Sequence, residues 1–159
     1  MSINVQKVFF IGLGGAGQRH LRIYRTLLPN INFYGFRKTN KTPTLNPDFS
    51  LDRFNSLESK YNIDIVSNIN EINNIRPDLT VISVPNAYHY FYSKIAFSAN
   101  SNIFIEKPGC ISPHEIRNLI SFQKDTKLNF RVGYQRKYHP IFTLIKRYIN
   151  LKTFGEIKK

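Results

Sequence analysis

Residues 8–17 read Val8-Phe9-Phe10-Ile11-Gly12-Leu13-Gly14-Gly15-Ala16-Gly17, and this stretch decides the fold. Four apolar residues in a row mark a strand buried on both faces. The next six match G-x-G-x-x-G. That pattern is weak alone, because glycines cluster in many loops. Its context here, after a buried strand and before an amphipathic helix, makes it specific. Gly12 permits a tight turn, and Gly14 lets backbone approach a pyrophosphate with no Cβ between. Gly17 allows the helix to pack closely on the strand. Gly15 and Ala16 complete the turn, whose free N–H groups and helix dipole attract an anion. Gln18-Arg19 stands where a Walker A sequence needs Gly-Lys-Ser/Thr, so that motif is excluded.

Outward from the turn, short apolar runs alternate with longer amphipathic ones. Strands are predicted over 5–11, 31–37, 63–66, 79–84, 103–105 and 130–134. A helix over 15–28 has Ala16, His20, Ile23 and Leu27 on its apolar face, with Arg19, Arg22 and Arg25 recurring on a solvated one. Ser50 is expected to cap a helix running to Tyr61. Ile69, Ile72 and Ile75 suggest one or two helical turns before Pro77. The helix over 87–99 should turn Tyr88, Phe91, Ile95 and Ala99 inward. Ser112-Pro113-His114-Glu115 places Ser at an N-cap, Pro at the first helical position and Glu at the third, and that helix runs to about 127. His139-Pro140 opens a last helix ending near 150. About six strands alternating with helices give an α/β, doubly wound parallel sheet of Rossmann type in three αβα layers.

Composition is compatible with this reading. The chain has 159 residues, 42% hydrophobic and 14% aromatic. That supplies core material enough to exclude intrinsic disorder. A chain this long buries roughly 70% of its unfolded surface and needs no disulfide or metal staple. Cys110 is the only cysteine, so no internal disulfide forms, which fits a reducing compartment. Lys7-Val8-Phe9-Phe10-Ile11 imitates the start of a signal peptide, but its apolar run dissolves into glycines. No apolar run reaches the length of a membrane span. The protein is expected in the cytoplasm, with no membrane partner.

The net charge is +13, concentrated at the two ends. Lys7, Arg19, Arg22, Arg25, Arg37, Lys38 and Lys41 precede the first acid, Asp48. Nine basic residues follow Asp125 with only Glu156 against them. Such ends suit a polyanion or one phosphorylated ligand. No helix-turn-helix, zinc-finger or RNA-recognition pattern accompanies them, and aromatics are not interleaved with the basic ends, so a nucleic-acid partner is not expected. The four histidines show no metal-ligand spacing, and no metal is expected.

An acid about 20 residues beyond the glycines would bind the ribose diol of NAD. The sequence there is Phe36-Arg37-Lys38-Thr39-Asn40-Lys41. Arg37 can grip a 2′-phosphate with paired donors, assisted by Lys38 and Thr39, which predicts NADP rather than NAD. The other reading of these residues is a solvated basic loop end.

Ligands of an open parallel sheet sit outside the C-terminal strand ends. Three polar loops fall there: Pro85-Asn86-Ala87-Tyr88-His89, Glu106-Lys107-Pro108 and Gly133-Tyr134-Gln135-Arg136. Taken with the glycine turn and His20, and with His139-Pro140, these loops make the chain resemble the N-terminal NAD(P)-binding domain of the glucose–fructose oxidoreductase/inositol dehydrogenase (Gfo/Idh/MocA) family. Order and spacing agree along nearly the whole chain, above all at Glu106-Lys107-Pro108.

The resemblance implies roles. Lys107 would lie beside nicotinamide and substrate hydroxyl as the catalytic residue, with Glu106 fixing it and lining the ribose region. Pro85, Asn86 and His89 would line the dinucleotide cleft, and Gln135 and Arg136 would approach the nicotinamide side. Without the resemblance, Lys107 reads as a surface lysine after a strand. His20 and His114 read as structural. The implied activity is hydride transfer at a hydroxyl or carbonyl of a sugar, nucleotide-sugar or cyclic polyol. Residues 1–150 would form the cofactor domain and 151–159 the entry to a missing substrate domain. The chain is therefore expected to be truncated and inactive alone, with apolar surface left exposed for self-association. The alternative is a non-catalytic dinucleotide-binding module or partner subunit.

Overall fold

Val8, Phe9, Phe10 and Ile11 are each wholly buried. A β-strand turns successive side chains to opposite faces, and this one meets core on both. Val8 and Phe10 enter one apolar cluster with Leu21, Phe33, Leu57 and Val81. Phe9 and Ile11 enter the other, with Ile82, Ala96, Ile105 and Leu119. Each such side chain contributes about 1.5–3 kcal/mol by leaving water, so this strand anchors both layers.

The structure is a computed structural model that describes residues 4–39 and 42–156. Lys41 of the basic cluster and residues 157–159 of the expected second-domain entry lie outside the described residues. The strands are β1 (Lys7–Ile11), β2 (Asn32–Phe36), β3 (Ile63–Val66), β4 (Leu79–Ile82), β5 (Asn102–Ile105) and β6 (Phe130–Val132). The helices are α1 (Gly15–Leu27), α2 (Leu57–Tyr61), α3 (Ile72–Ile75), α4 (His89–Ser98), α5 (Pro113–Asp125) and α6 (Pro140–Asn150). Short 3₁₀ turns occupy Ile69–Glu71, Asn86–Tyr88 and Gln135–Tyr138. All six strands are parallel, in the order β3-β2-β1-β4-β5-β6. The order reverses between β1 and β4, and a crevice opens where their outgoing chains diverge.

Local signals hold at α5, where the Ser112 hydroxyl accepts from the Glu115 amide at 3.2 Å and Pro113 opens the helix. Several expectations are corrected. Ser50 caps no helix. It hydrogen-bonds Asp48 inside a turn, and α2 starts at Leu57 under a Ser56 cap. Helix α1 buries Gly17, Gln18 and Leu21, leaving Ile23 and Leu27 exposed. Its apolar period is misleading because the polar Gln18 is buried by backbone hydrogen bonds. Helix α4 likewise buries His89, Tyr92, Ser93, Ala96 and Phe97 rather than Tyr88 and Phe91. The arginine row is engaged with the protein and not only with solvent, although Arg19 remains 45% exposed. Arg19 pairs with Glu106, and Arg22 donates to the Tyr61 hydroxyl. Arg25 donates to the Tyr61 carbonyl with its guanidinium 4.0 Å from the Phe33 ring centre.

Helix α6 buries no residue. Ile141, Phe142, Leu144, Ile145 and Ile149 remain exposed on it. Among the described residues, no helix is long and apolar enough to cross a membrane.

Candidate functional site

The glycine turn is built from contacts that forbid side chains at two positions and leave a third open. Gly12 has φ +89°, a left-handed value, and a Cβ there would stand 2.7 Å from the Ser83 carbonyl oxygen. A Cβ on Gly17 would stand 2.1 Å from the Gly12 oxygen. The Ser83 hydroxyl donates to that same oxygen at 2.8 Å, tying the β4 end to the turn. Around a Cβ on Gly14, nothing lies within 4 Å.

Gly14 is the N-cap of α1, has no side chain to cap the helix, and no acid follows in the first turn. The first bond of the helix is donated by Gln18 to the Gly14 oxygen at 2.9 Å. The amides before it are donors that an anion can satisfy. The turn thus fits a dinucleotide's diphosphate: tight behind, open in front, with no acid in the helix's first turn.

Beside the turn lies a cleft of about 440 Å³. Ala16 and Arg19 of α1 form one wall, and Ser83, Val84 and Asn86 follow from β4. Glu106 and Lys107 leave β5, Gln135 follows β6, and Phe49 of the β2–α2 loop completes the rim. The cleft thus brings together the predicted Ala16, Asn86, Glu106, Lys107 and Gln135.

Other predicted residues stand elsewhere. His89 is wholly buried, with Nδ1 2.7 Å from the Pro108 oxygen and Nε2 2.9 Å from the Val84 oxygen. It ties the two loops together and does not reach the cleft. Pro85 and Arg136 are exposed and do not line it either. Arg37, Lys38 and Thr39 leave the end of β2. Arg37 is mostly buried, donating to the Thr42 carbonyl at 3.3 Å and to Glu58 at 3.4 Å. Among the described residues its Nε is buried without a partner. Lys38 Nζ lies 5.6 Å from the Tyr88 ring centre, so the loops after β2 and β4 face one another across the crevice.

Glu106 is the charged centre of the cleft. Its Oε1 accepts from Arg19 at 2.9 Å and lies 2.6 Å from His20 Nε2, while Oε2 accepts from the Lys107 amide at 3.2 Å. Burial alone would push this carboxyl up. The hydrogen bond and charge of His20, the Lys107 amide and Arg19 outweigh it and hold Glu106 below the usual carboxylate range. His20 stacks edge-on against Phe104, ring centres 5.2 Å apart. The carboxylate is fixed, ionised and committed to α1. The Lys107 side chain beside it is exposed and free to meet a ligand.

Residue-level reading of the sequence missed Phe49, Ser83 and Val84. Ser83 had a signal, a small polar residue at the end of an apolar run. Phe49 had none, because only the fold of its loop brings it to the cleft. Among the described residues, no group of three or more His, Cys, Asp or Glu side chains is arranged to hold a metal.

Comparison with known proteins bears on this geometry. The model of an oxidoreductase family, the NAD-binding Rossmann fold of the Gfo/Idh/MocA group, matches residues 6–134. Oxidoreductase P35 of Formosa agariphila is 25% identical over 76 residues, 48% of this chain and 24% of that protein. Apo scyllo-inositol dehydrogenase from Lactobacillus casei superimposes with a TM-score of 0.78 at 16% identity, over 98% of this chain and 44% of its own. A structure of that enzyme with NAD(H) and scyllo-inositol bound gives 0.78 at 16% identity, over 96% of this chain and 43% of that one. UDP-N-acetylglucosamine 3-dehydrogenase from Acidithiobacillus ferrooxidans gives 0.73 at 18% identity, over 89% and 42%. The chain spans less than half the length of these solved proteins, and its match to the curated relative covers about a quarter of that protein.

Proposed function

The chain belongs to the Gfo/Idh/MocA oxidoreductase family, and from that premise we propose that it holds NADP in preference to NAD. We propose further that it serves an oxidoreductase working at a hydroxyl or carbonyl of a sugar, nucleotide-sugar or cyclic polyol. The observation that carries the cofactor reading is the turn itself, closed at Gly12 and Gly17 and open at Gly14.

Gly14, Gly15 and Ala16 would take the diphosphate on their amides. Arg37, Lys38 and Thr39 would take the 2′-phosphate, and the absence of an acid in this stretch supports that choice. Nicotinamide, when bound, supplies the hydride chemistry. Lys107, beside it, would orient the substrate hydroxyl and exchange its proton. Glu106 would fix the chain that carries Lys107, Asn86 would line the dinucleotide cleft, and Gln135 would approach the nicotinamide side.

Turnover needs a substrate held in register, worth about 7–11 kcal/mol of barrier. Since the chain spans less than half of its solved relatives, we propose that alone it binds cofactor without turning over a sugar at an enzyme's ordinary rate. A second reading, a non-catalytic dinucleotide-binding module or partner subunit, would use the same glycine turn. Sugar or polyol turnover by the isolated chain would exclude that reading. The exposed apolar residues of α6 support self-association, readable by sedimentation. The single free Cys110 supports a cytoplasmic setting.

The test is titration of the chain with NADPH and NADH, repeated on Arg37→Ala. Saturable uptake is expected for both, tighter for NADPH. The variant should lose about 10–100-fold in NADPH affinity, as for a lost charge-assisted bond, and little for NADH. Equal affinities in the unmodified chain would refute the role of Arg37.

A further inference from the structure

The loop between β2 and α2 is anchored at several points. Gln18, wholly buried in α1, donates from Nε2 to the Leu13 oxygen at 2.9 Å and to the Pro43 oxygen at 2.8 Å. Its Oε1 accepts from the Leu45 amide at 2.8 Å. One carboxamide therefore joins the glycine turn to the loop. From the other side, Lys60 donates to the Leu45 oxygen at 3.1 Å, to Asn46 Oδ1 at 2.9 Å and to Asp52 at 2.7 Å. An antiparallel bridge between Leu45 and Leu51 closes the base.

At the tip of this strap stands Phe49, with φ +67°. A bulky residue rarely takes the left-handed region, and such outliers persist where the surroundings impose them. The conformation lays the ring on the glycine turn, with its edge 3.2 Å from where a Cβ on Gly15 would stand. Yet the residue is 56% exposed, an aromatic held at the rim of the cleft with half its surface in water. The space in front of Gly14 stays clear. The ring is therefore a side wall, not a plug.

We propose that residues 43–51 form a strap along the diphosphate of the bound dinucleotide, with Phe49 as the residue that covers it and Gln18 as a positioning residue that registers strap against turn. This rests on reading the cleft as a dinucleotide site. A ring alongside the diphosphate shields its contacts from water and slows departure of the ligand. The diphosphate it would cover is common to both cofactors, so its contribution is shared by them.

The experiment is titration and stopped-flow dissociation of NADH, NADPH and ADP-ribose from the unmodified chain, Phe49→Ala and Phe49→Tyr. Phe49→Ala removes a half-exposed side chain and keeps the fold. It should weaken all three ligands alike, by about tenfold, through lost apolar cover, with faster dissociation and an unchanged NADPH-to-NADH ratio. Phe49→Tyr, which keeps the ring, should bind like the parent. Unchanged or tighter binding by Phe49→Ala, or a loss confined to one cofactor, would overturn the strap while leaving the cofactor reading standing. No uptake by the unmodified chain would overturn both.

Discussion

His20 Nε2 lies 2.6 Å from Glu106 Oε1, so a residue in the second turn of α1 is joined to the loop that follows β5. The bond holds Glu106, whose other oxygen accepts from the Lys107 amide, and so fixes the peptide that carries Lys107. Because the folded state holds the Glu106 carboxyl below its ordinary range, the unfolded chain binds that proton more readily. The stabilisation is complete above the unfolded value of about 4.3 and is lost as pH falls through the folded one. Chemical denaturation across acidic pH should therefore show the parent's advantage over Glu106→Gln shrinking as pH drops. An advantage that stays constant would mean that the pair adds no pH-dependent stability.

Much of this arrangement is legible in the sequence. Four apolar residues running into Gly12 read by composition as a strand covered on both faces, and G-x-G-x-x-G at that place reads as a turn into a helix. Parallel order and crevice follow from alternation. Side-chain identity misleads where polar residues go inside. Gln18 and His89 are wholly buried because backbone carbonyls or amides satisfy them, and hydropathy periodicity counts them as outward. That shifts the inner faces of α1 and α4. Arg25 reads as surface charge, but its guanidinium lies over the Phe33 ring while donating to the carbonyl at the end of α2. Phe49 belongs to a loop whose path depends on Gln18 and Lys60, contacts that no local pattern encodes.

The position of Arg25 predicts a stability effect. Removing it strands the Tyr61 carbonyl and uncovers an aromatic face. Arg25→Ala should cost about 1–3 kcal/mol, read from denaturation midpoints. Arg25→Lys should restore only part, since an ammonium cannot span several carbonyls as the planar fork does. A neutral Arg25→Ala would show the side chain to be solvated after all.

Cys110 should be inert while the protein is folded. Burial, with a smaller contribution from the Glu115 charge, pushes its thiol up to about 11. At neutral pH almost none is thiolate, the reactive form. Alkylation by iodoacetamide should be slow in the native chain and rise sharply on unfolding. Native labelling as fast as that of an unfolded thiol would contradict the burial described here.

The two ends of the glycine turn should respond oppositely to added atoms. Gly17→Ala drives a Cβ to 2.1 Å from the Gly12 oxygen, and should cost about 3 kcal/mol or more in stability. Gly14 has an extended backbone, φ −71° and ψ −168°, that any residue adopts.

The decisive measurement is NADPH and NADH titration of Gly14→Val beside a denaturation curve of the same variant. The new side chain meets no protein atom within 4 Å at its Cβ, so stability should stay within about 1 kcal/mol of the parent. Uptake of both dinucleotides should fall at least about 100-fold, because backbone can no longer approach the diphosphate. A folded Gly14→Val chain that binds either cofactor as tightly as the parent would show that this turn is not where the diphosphate sits.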